Sequence, residues 1–365
     1  MKVALYIHCF FPGHYHGTET YTLTLAENLQ KLGHEPVVVS AIFEGEEKAK
    51  NLITRYDYNG IPVYCIDKNH IPQMSLRDTY YQPELRHVHA SLLHELQPDI
   101  VHVTHLLNHT AVLLDVIKDL EIPAVATFTD FFGFCMNVKL EGANGDLCRG
   151  PDSERTNCFT CCAKAGIKQA YTAMSEQRFN KLASLLRLGC ISFNAVHRLP
   201  ILRRSQLSNQ LKVIKERPEL LRERYSLYRA VIAPTRFLQS AYENNGFTSA
   251  PIHKIHFGVD LDREPKSARP ASAPTRFGLI GQIAPHKGTA LLVEAFCRLP
   301  TGQGELHVYG SESQYPTYFQ ALKQRCVGFA VYFHGTFPTD QIRPVLDEID
   351  FLVILLLQHP LKNSL

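Results

Sequence analysis

The sequence has 365 residues, of which 45% are hydrophobic and 20% charged, a composition typical of a globular protein with more than one core. A net charge of +3 is too small to predict nucleic-acid binding, and the Gly and Pro content excludes a fibrous or mainly disordered chain. The longest apolar run, 351–357, is far shorter than the roughly 18 residues that a membrane span needs. The start of the chain reads as a strand rather than a signal peptide, so we expect a soluble, cytoplasmic protein with mostly reduced cysteines.

The first part of the chain alternates short apolar strands with helical periodicity. Strands are predicted at 3–7, 37–39, 100–104, 124–128, 230–233 and 252–257. After the first strand, Tyr21, Leu25, Leu29 and Leu32 would lie on one helix face that Gly33 terminates. Strands separated by helices favour a parallel sheet with right-handed crossovers. We therefore predict a Rossmann-like α/β domain over residues 1–265.

A linker and a second α/β unit are predicted after this domain. Residues 263–275 contain three prolines and no apolar periodicity, so we place a linker at 266–275. Strands are then predicted at 277–280, 305–309, 331–334 and 351–357. The inward face of the first helix would hold Leu291, Leu292, Ala295, Phe296 and Leu299. The chain thus reads as two Rossmann-like domains, with the second (276–365) incomplete.

In each unit, one glycine-containing loop follows the first strand, at the edge where open α/β sheets bind ligands. In the loop 10–19, Gly17 permits close approach of a ligand to the backbone, and the next helix offers amides to an anion; a plain turn is the alternative. In the loop 281–288, Lys287 stands at a helix entrance, which suggests an anionic ligand; a solvated lysine is the alternative. Facing each other across the linker, these loops would form a cleft for a diphosphate. The absence of G-x-G-x-x-G disfavours a dinucleotide oxidoreductase.

With these motifs the chain resembles a family 4 glycosyltransferase of the GT-B fold, a retaining enzyme that uses a nucleotide sugar. The likeness extends to about residue 354. It is carried by YIHCFFPGHYHGTETYTLTLAENLQKLGHEPVVV at 6–39, VIAPTRFLQSAYENNGF at 231–247, IHFGVDLD at 255–262, FGLIGQIAPHKGTALLVEAF at 277–296, LHVYG at 306–310, VYFHGTF at 331–337 and IDFLVI at 349–354.

The resemblance implies roles for both loops. His16 and Gly17 would lie against the donor phosphate and the reacting sugar. The second loop would bind the donor diphosphate through Gly281, Gln282, Lys287 and Gly288. Gln282 stands where the family has an arginine, so a fixed charge is lost, and the neighbouring His286 is a candidate substitute. The family implies that Lys287, amides and a helix N-terminus neutralise the leaving group without a divalent metal or other cofactor.

Three residues are the candidate catalytic groups: Asp130, His105 and Lys287. The family's T-x-H-D segment corresponds to residues 127–130, with Thr129 in place of the histidine and Asp130 retained as a hydrogen-bonding group. His105 follows the predicted strand 100–104 and could face the acceptor. The alternative is that His105 is simply one of 18 histidines.

Five of the ten cysteines fall at 135–162, a stretch rich in turn-forming residues that we treat as an insertion. Cys135, Cys148, Cys158 and Cys161 are spaced 13, 10 and 3 residues apart, and Cys162 is adjacent. A C-x-x-C pair with two upstream thiols suits a structural zinc site of four thiolates, and less well an iron–sulfur cluster. Unmetallated thiols, or disulfides in an oxidising compartment, are the alternatives.

A basic segment at 198–229 has nine Lys or Arg against three Glu, a local charge of +6. Such a segment, interleaved with Leu and Ile, could contact an anionic membrane peripherally or bind a lipid-linked acceptor. A solvated pair of amphipathic helices is the alternative.

The resemblance ends in LLLQHPLKNSL, after Ile354, where the family continues to an E-x7-E helix that holds donor sugar and ribose. We expect a truncation or frameshift near residue 355. The first interpretation is a hexosyltransferase-like enzyme that moves a sugar from a nucleotide-diphosphate donor to a glycan or lipid-linked acceptor, with no nucleic-acid partner. The rival is a truncated, inactive relative that at most binds ligands. A GT-B epimerase is disfavoured by the family-specific segments of the first domain.

Overall fold

The computed structural model describes residues 1–170, 176–197, 199–258, 270, 273–338 and 341–355. The chain divides into two compact units, Met1–Val259 and Asp260–Leu365. Most of the predicted linker lies outside the described residues, so its conformation stays a prediction. Within the described part of the chain, no helix combines the length and the hydrophobicity needed to cross a membrane.

Unit 1 is built on a mostly parallel sheet, as predicted. Its described strands are β1 (Lys2–Tyr6), β2 (Glu35–Ile42), β3 (Ile53–Tyr58), β4 (Ile61–Asp67), β5 (Ile100–Val103), β6 (Ala124–Thr127), β7 (Ala230–Ala233) and β8 (Ile252–Lys254). They lie in the order β3-β4-β2-β1-β5-β6-β7-β8, and the antiparallel pair is β3 with β4. The central strands β1, β5 and β6 are therefore neighbours whose carboxyl ends meet at one edge.

Helices cover both faces of this sheet. They are α1 (Gly17–Lys31), α2 (Arg86–Leu96), α3 (Val112–Asp119), α4 (Thr156–Ala170), α5 (Glu176–Val196), α6 (Gln206–Tyr225) and α7 (Arg236–Asn244). On β1, Val3 and Leu5 belong to one hydrophobic cluster, whereas Ala4 and Tyr6 belong to the other. A strand buried on both faces needs an unbroken apolar run, which is what this segment has.

The inward face of α1 differs in part from the predicted one. Leu25 and Leu29 pack against the core, but Leu32 is 74% exposed because the helix ends at Lys31 and Leu32 is its C-cap residue. The residues buried most deeply in α1 are Glu19, Thr22 and Ala26. Small and polar residues on this stripe let the helix approach the sheet closely and place a carboxylate beneath the strand ends.

The β3–β4 hairpin was not predicted. Its turn is formed by Asn59 (φ 53°) and Gly60 (φ 76°), the left-handed pair that a two-residue type I′ turn requires. The side chain of Asp57 also accepts a hydrogen bond from the Gly60 amide at 2.9 Å. The Asn-Gly dipeptide, placed between two segments of alternating polar and apolar residues, was the sequence feature that indicates such a hairpin.

Unit 2 has a smaller parallel sheet in the order β11-β10-β9-β12. Its elements are β9 (Thr275–Ile280), α8 (Thr289–Phe296), β10 (Gly304–Tyr309), α9 (Pro316–Arg325), β11 (Val331–Gly335), α10 (Ile342–Asp347) and β12 (Phe351–Leu352). The predicted strand 351–357 is confined to two residues, and residues 356–357 lie outside the described part.

The buried face of α8 also departs from the prediction. Leu291 and Leu299 are 37% and 41% exposed, whereas Thr289, Val293 and Phe296 are buried. These three positions follow the i, i+4, i+7 spacing of a single helix stripe, and the apolar run around them is wider than the face that packs. The prediction that Leu291 and Leu299 face inward is therefore wrong.

The loop after β9 is held in place by a close backbone approach. A Cβ atom added to Gly310 would collide with the carbonyl oxygen of Gly281. Gly281 itself has φ +149°, a conformation that favours glycine. Glycine at both positions thus lets the end of β10 contact the start of the loop that contains Lys287.

Candidate active site

The candidate active site of unit 1 lies at the carboxyl edge of β1, β5 and β6. His8 follows β1, His105 follows β5 and Asp130 follows β6. Because β1 pairs with β5 and β5 with β6 in parallel register, these residues come together at one edge of the sheet. The rings of His8 and His105 lie 4.1 Å apart between centroids.

His105 and Asp130 form a close pair with a defined orientation. The Nε2 atom of His105 contacts Oδ2 of Asp130, and Oδ1 of Asp130 accepts a hydrogen bond from the Phe132 amide at 2.6 Å. The Nδ1 atom of His105 accepts a hydrogen bond from the Leu107 amide at 3.1 Å. Since Nδ1 acts as an acceptor, the proton of a neutral His105 is assigned to Nε2, where it faces the carboxylate.

A second carboxylate, that of Glu19, lies beside His8 and was missed in the sequence. Glu19 is 1% exposed, and its Oε1 atom accepts a hydrogen bond from Cys9 Sγ at 2.8 Å and lies 3.4 Å from His8 Nε2. The ligand atoms of these three residues lie within 4.8 Å of one another, a grouping that the Cys9–Glu19 hydrogen bond and the His8–Glu19 contact account for. Burial, followed by the neighbouring histidines, lowers the pKa of His8 to about 2, so this ring is neutral at physiological pH.

In the sequence, His8 and Glu19 could have been recognised as site residues from their positions. His8 comes directly after the first buried strand, and Glu19 lies in the first turn of α1, one turn before Thr22 and two before Ala26 on the buried stripe. A carboxylate among small residues on the stripe that faces a sheet indicates a functional or structural contact rather than a solvated side chain.

Hydroxyl groups surround the strand ends. Thr127 Oγ1 lies 2.8 Å from His102 Nε2 and 3.0 Å from the Tyr21 hydroxyl. Thr129, which stands where the resemblance implies a histidine, donates a hydrogen bond to the Thr104 carbonyl at 3.1 Å. The Thr129 side chain is therefore directed to the backbone of the neighbouring strand end.

His16 and Gly17 lie at the N-terminus of α1 and are both exposed. His16 is the N-cap residue but makes no side-chain capping hydrogen bond, and the space where a Gly17 side chain would project is open. A fifteen-residue helix with an uncapped, solvent-facing N-terminus suits contact with an anion. The predicted phosphate contact of these two residues stays a prediction.

The loop 281–288 of unit 2 contains a turn that exposes the positively charged Lys287. Pro285–Lys287 form a single helical turn, and Gly288 (φ +74°) is the N-cap residue of α8. Lys287 is exposed and Gln282 is half-buried, while the Ala290 amide in the first turn of α8 donates to the Tyr318 hydroxyl at 3.0 Å. One of the first-turn amides is thus already satisfied within the unit. The side chain of His286 lies outside the described part, so its predicted role is untested.

The four predicted metal-ligand cysteines line one pocket of unit 1, together with Asn137, Leu140, Glu141 and other residues of the insertion. Cys135 lies in the turn after β6, Cys148 follows a small antiparallel bridge, and Cys158 and Cys161 lie in the first two turns of α4. As their side chains stand, these thiols do not form a group within the 4.8 Å spacing found for His8, Cys9 and Glu19 among the described residues. The zinc site stays a prediction.

The basic segment 198–229 is not a single cationic face. Arg198 lies outside the described residues, and Arg217 is buried. Three further cations form ion pairs: Lys215 with Glu154, Arg222 with Glu219, and Arg224 with Asp115. Exposed Arg203 and Arg204 lie in the turn between α5 and α6. Burial and ion pairing within the fold therefore account for four of the nine positive charges of this segment.

Comparison with known proteins supports the predicted class. Residues 15–137 match the model of Glycosyltransferase Family 4, a stretch that runs from α1 through the Asp130 loop. No curated protein matches the chain significantly.

Solved structures share the fold over nearly the whole chain. Anabaena Alr3699/HepE in complex with UDP and glucose is 14% identical with a TM-score of 0.51, covering 98% of this chain and 74% of that one. The lipopolysaccharide outer core galactosyltransferase WaaB, in its apo form, is 11% identical with a TM-score of 0.53, covering 99% and 76%. A glycosyltransferase from Rickettsia africae is 15% identical with a TM-score of 0.54, covering 98% and 73%.

The chain therefore has the α/β fold of GT-B glycosyltransferases, which confirms the predicted fold class. In addition, residues 15–137 in unit 1 are similar to Glycosyltransferase Family 4.

Proposed function

We propose that the protein transfers a sugar, with retention of configuration, from a nucleoside-diphosphate donor to a glycan or lipid-linked acceptor. The observation that carries the proposal is the oriented His105–Asp130 pair at the carboxyl edge of the sheet, within the segment that matches the family model. HepE, which shares the fold, has been solved with UDP-glucose and with UDP and glucose, which supports the donor class. We place the reaction in the cytoplasm, where thiols stay reduced.

Asp130 would bind the acceptor hydroxyl. Its Oδ1 atom accepts from the Phe132 amide, its Oδ2 atom contacts His105 but has no hydrogen-bond partner, and its side chain is 20% exposed, so the carboxylate keeps lone pairs for a hydroxyl donor. Both ring nitrogens of His105 already have partners, so His105 would act as a positioning residue that orients and stabilises the carboxylate. This assigns to Asp130 the acceptor contact that the sequence suggested for His105.

The transfer would proceed directly from donor to acceptor, without a covalent intermediate on a protein nucleophile. The acceptor oxygen bonds to the anomeric carbon as the bond from that carbon to the diphosphate oxygen breaks, and the acceptor proton passes to the departing diphosphate. Attack on the face from which the leaving group departs retains configuration. The protein would contribute by holding the acceptor and neutralising developing charge.

We assign the diphosphate to the unit 2 loop. Lys287 supplies the positive charge, and Gly281, Gln282 and Gly288 supply backbone or amide groups near it. Gln282 offers a neutral donor where the family has a guanidinium, so Lys287 carries a larger share of the charge. These groups would neutralise the leaving group without requiring a divalent metal.

A donor panel tests this proposal. The full chain is incubated with UDP-, GDP- and ADP-sugars and candidate acceptors, and nucleotide release and donor binding are measured. We expect one donor to be consumed, and Lys287→Ala to lower turnover by about 10²- to 10³-fold because a preorganised charge is lost. Lys323→Ala, at another exposed lysine of unit 2, is the matched control and should leave turnover unchanged.

The outcomes separate the proposal from its rival. Donor binding without turnover would support an inactive relative that serves as a binding module. Neither binding nor release with any of the donors would contradict the proposed donor class. Equal loss in both lysine variants would contradict the assignment of Lys287 to the diphosphate.

We further propose that unit 1 contacts an anionic membrane that carries the acceptor. An apolar groove, the α4–α5 groove, is lined by Phe159, Ala163, Ile167, Leu185, Leu186, Gly189, Cys190, Phe193 and Leu207. Beside it, the turn between α5 and α6 exposes Ile201 at 92%, next to Arg203 and Arg204. Apolar side chains flanked by exposed arginines suit the interface of an anionic bilayer, and a lipid tail would suit the groove.

Sedimentation with liposomes tests the membrane contact. The chain should bind vesicles containing phosphatidylserine more tightly than neutral vesicles, with binding weakened by salt. Ile201→Asp should reduce binding severalfold because it removes apolar contact and adds repulsion. Leu32→Asp, at another exposed apolar position of unit 1, should bind as the parent chain does. Equal binding to both vesicle types would contradict the proposal.

A further inference from the structure

Four thiols from separate parts of the insertion meet at one pocket of unit 1. The pocket is lined by Cys135, Cys148, Cys158 and Cys161, whereas the neighbouring Cys162 does not line it, although both Cys158 and Cys162 pack against the Phe159 cluster. The three segments are brought together by local hydrogen bonds: the Cys148 amide donates to the Leu140 carbonyl at 2.8 Å, and Asp152 accepts from the Thr156 and Asn157 amides at the start of α4. The fold thus selects, from five nearby cysteines, a set of four.

The polar surroundings of the Cys148 sulfur atom suit a thiolate. The Gly150 amide and the Asn157 side chain direct N–H groups at Cys148 Sγ, at 3.4 Å and 3.6 Å. Gly150 has φ +115°, a conformation in which a side chain would be strained and would collide with Asn245. Cys158 lies in the first turn of α4, where the helix dipole favours negative charge, and Cys161 follows it at i+3 on the same side of the helix.

A buried cation near the pocket lacks an anionic partner. Arg217 is 2% exposed, its guanidinium lies 5.1 Å from the Phe132 ring centroid and 5.6 Å from that of Tyr80, and it donates to the Phe132 carbonyl. Its Nη1 atom has no hydrogen-bond partner, and no described carboxylate pairs with it. An uncompensated charge in an apolar interior is costly, so an anionic group nearby would stabilise it.

We propose that Cys135, Cys148, Cys158 and Cys161 bind one structural zinc ion as four thiolates. A four-thiolate zinc site carries a net charge of −2, which the neighbouring Arg217 would partly neutralise. Rotation of the cysteine side chains within the pocket would replace their present hydrogen bonds, such as that from Cys135 Sγ to Asn137 Oδ1 at 2.8 Å, by bonds of about 2.3 Å to the metal. Four protein ligands leave no open position, so the ion would serve the fold.

The consequence would be a fixed loop between the insertion and the active-site edge. Cys135 follows Asp130 by five residues, and the segment between them contains Phe132, whose amide binds the Asp130 carboxylate and whose carbonyl binds Arg217. Val138 and Leu140 adopt positive φ angles of 55° and 57° in the same loop. Such conformations persist when surrounding contacts fix them, which a metal site would do.

Metal analysis of the full chain tests the proposal. Protein purified under reducing conditions without chelator should contain about one zinc per chain, and Cys158→Ser and Cys161→Ser should each lower this below about 0.2. Cys162→Ser, adjacent in sequence but outside the pocket, is the matched control and should retain zinc. Loss of zinc in Cys162→Ser alone would overturn the ligand assignment.

A second measurement does not depend on the folding of a variant. The unsubstituted chain, with its zinc exchanged for cobalt, should show the intense d–d and thiolate-to-metal charge-transfer absorption of a tetrahedral thiolate site. A chain that contains no zinc and takes up no cobalt would overturn the proposal. Stoichiometric iron with sulfide, or disulfides joining these four cysteines in freshly purified protein, would overturn it in favour of those alternatives.

Discussion

Replacing Asp130 by Asn is expected to lower the turnover of sugar transfer by about 10²-fold, because the acceptor hydroxyl loses the charged group that positions it. The substitution keeps the size of the side chain but replaces a carboxylate with a neutral amide. The amide would present a weaker acceptor to the substrate hydroxyl and could direct its NH₂ group at the Nε2 proton of His105. Turnover should be measured with the donor that the panel identifies.

The comparison with His105 separates direct contact from positioning. His105→Asn should lower turnover less than Asp130→Asn does, since the carboxylate remains. Asp119→Asn removes a carboxylate from an exposed pair with Arg86 and should leave turnover unchanged. Activity of a folded Asp130→Asn variant within about threefold of the parent would contradict the proposed role.

Acidification below about pH 6.5 is expected to destabilise unit 1 steeply. Burial lowers the pKa of His89 and His102 to about 4, that of His109 to about 3, and that of His8 to about 2. Between these values and the ordinary value of 6.5, the unfolded chain binds more protons than the folded chain. Stability is therefore fully present above pH 6.5 and is lost as the pH falls toward 4.

The expected slope is large because four side chains contribute. Each such histidine lowers the free energy of unfolding by up to about 1.4 kcal/mol per pH unit, so together they contribute on the order of 5 kcal/mol per unit. The total for a domain is about 5–15 kcal/mol, so unfolding should set in before most carboxylates are protonated. Denaturant titrations between pH 7.5 and 5 would measure this slope.

His109 provides the test of the cause. Its Nε2 atom lies 2.7 Å from the Ile7 carbonyl, and its ring packs on Tyr6. His109→Gln keeps an N–H donor but does not titrate. The slope of the free energy of unfolding against pH should therefore fall by the contribution of one proton, about 1.4 kcal/mol per pH unit. His87→Gln, at an exposed position on α2, should leave the slope unchanged. Identical slopes in the two variants would contradict the assignment to buried histidines.

Much of the fold was predictable because the central strands are buried on both faces. The short runs of β1, β5 and β6 are buried along most of their length, as expected in the middle of a covered parallel sheet. Helix faces were less predictable. The stripe of α1 that packs deepest contains Glu19 and Thr22, so a rule based on leucine spacing selected a neighbouring stripe and extended it to Leu32.

Part of the candidate site was also predictable, because it lies at the ends of predicted strands. Asp130 and His105 could be found because each follows a strand, and the ends of neighbouring parallel strands meet. Their roles could not be separated in the sequence, since these depend on which ring nitrogen accepts the Leu107 amide. His8 and Glu19 were missed because their significance lies in a contact across the strand–helix turn, which spacing alone does not show.

The sequence by itself determined the α/β class, the succession of strands and helices, and the family resemblance, since these follow from local periodicity and ordered motifs. The tertiary structure decided which side chains act together. It paired His105 with Asp130, set Glu19 beneath the strand ends, and separated Cys162 from the other four thiols of the insertion region. The physical reason is that charge, proton position and metal affinity depend on distances between residues far apart in sequence, which only packing fixes.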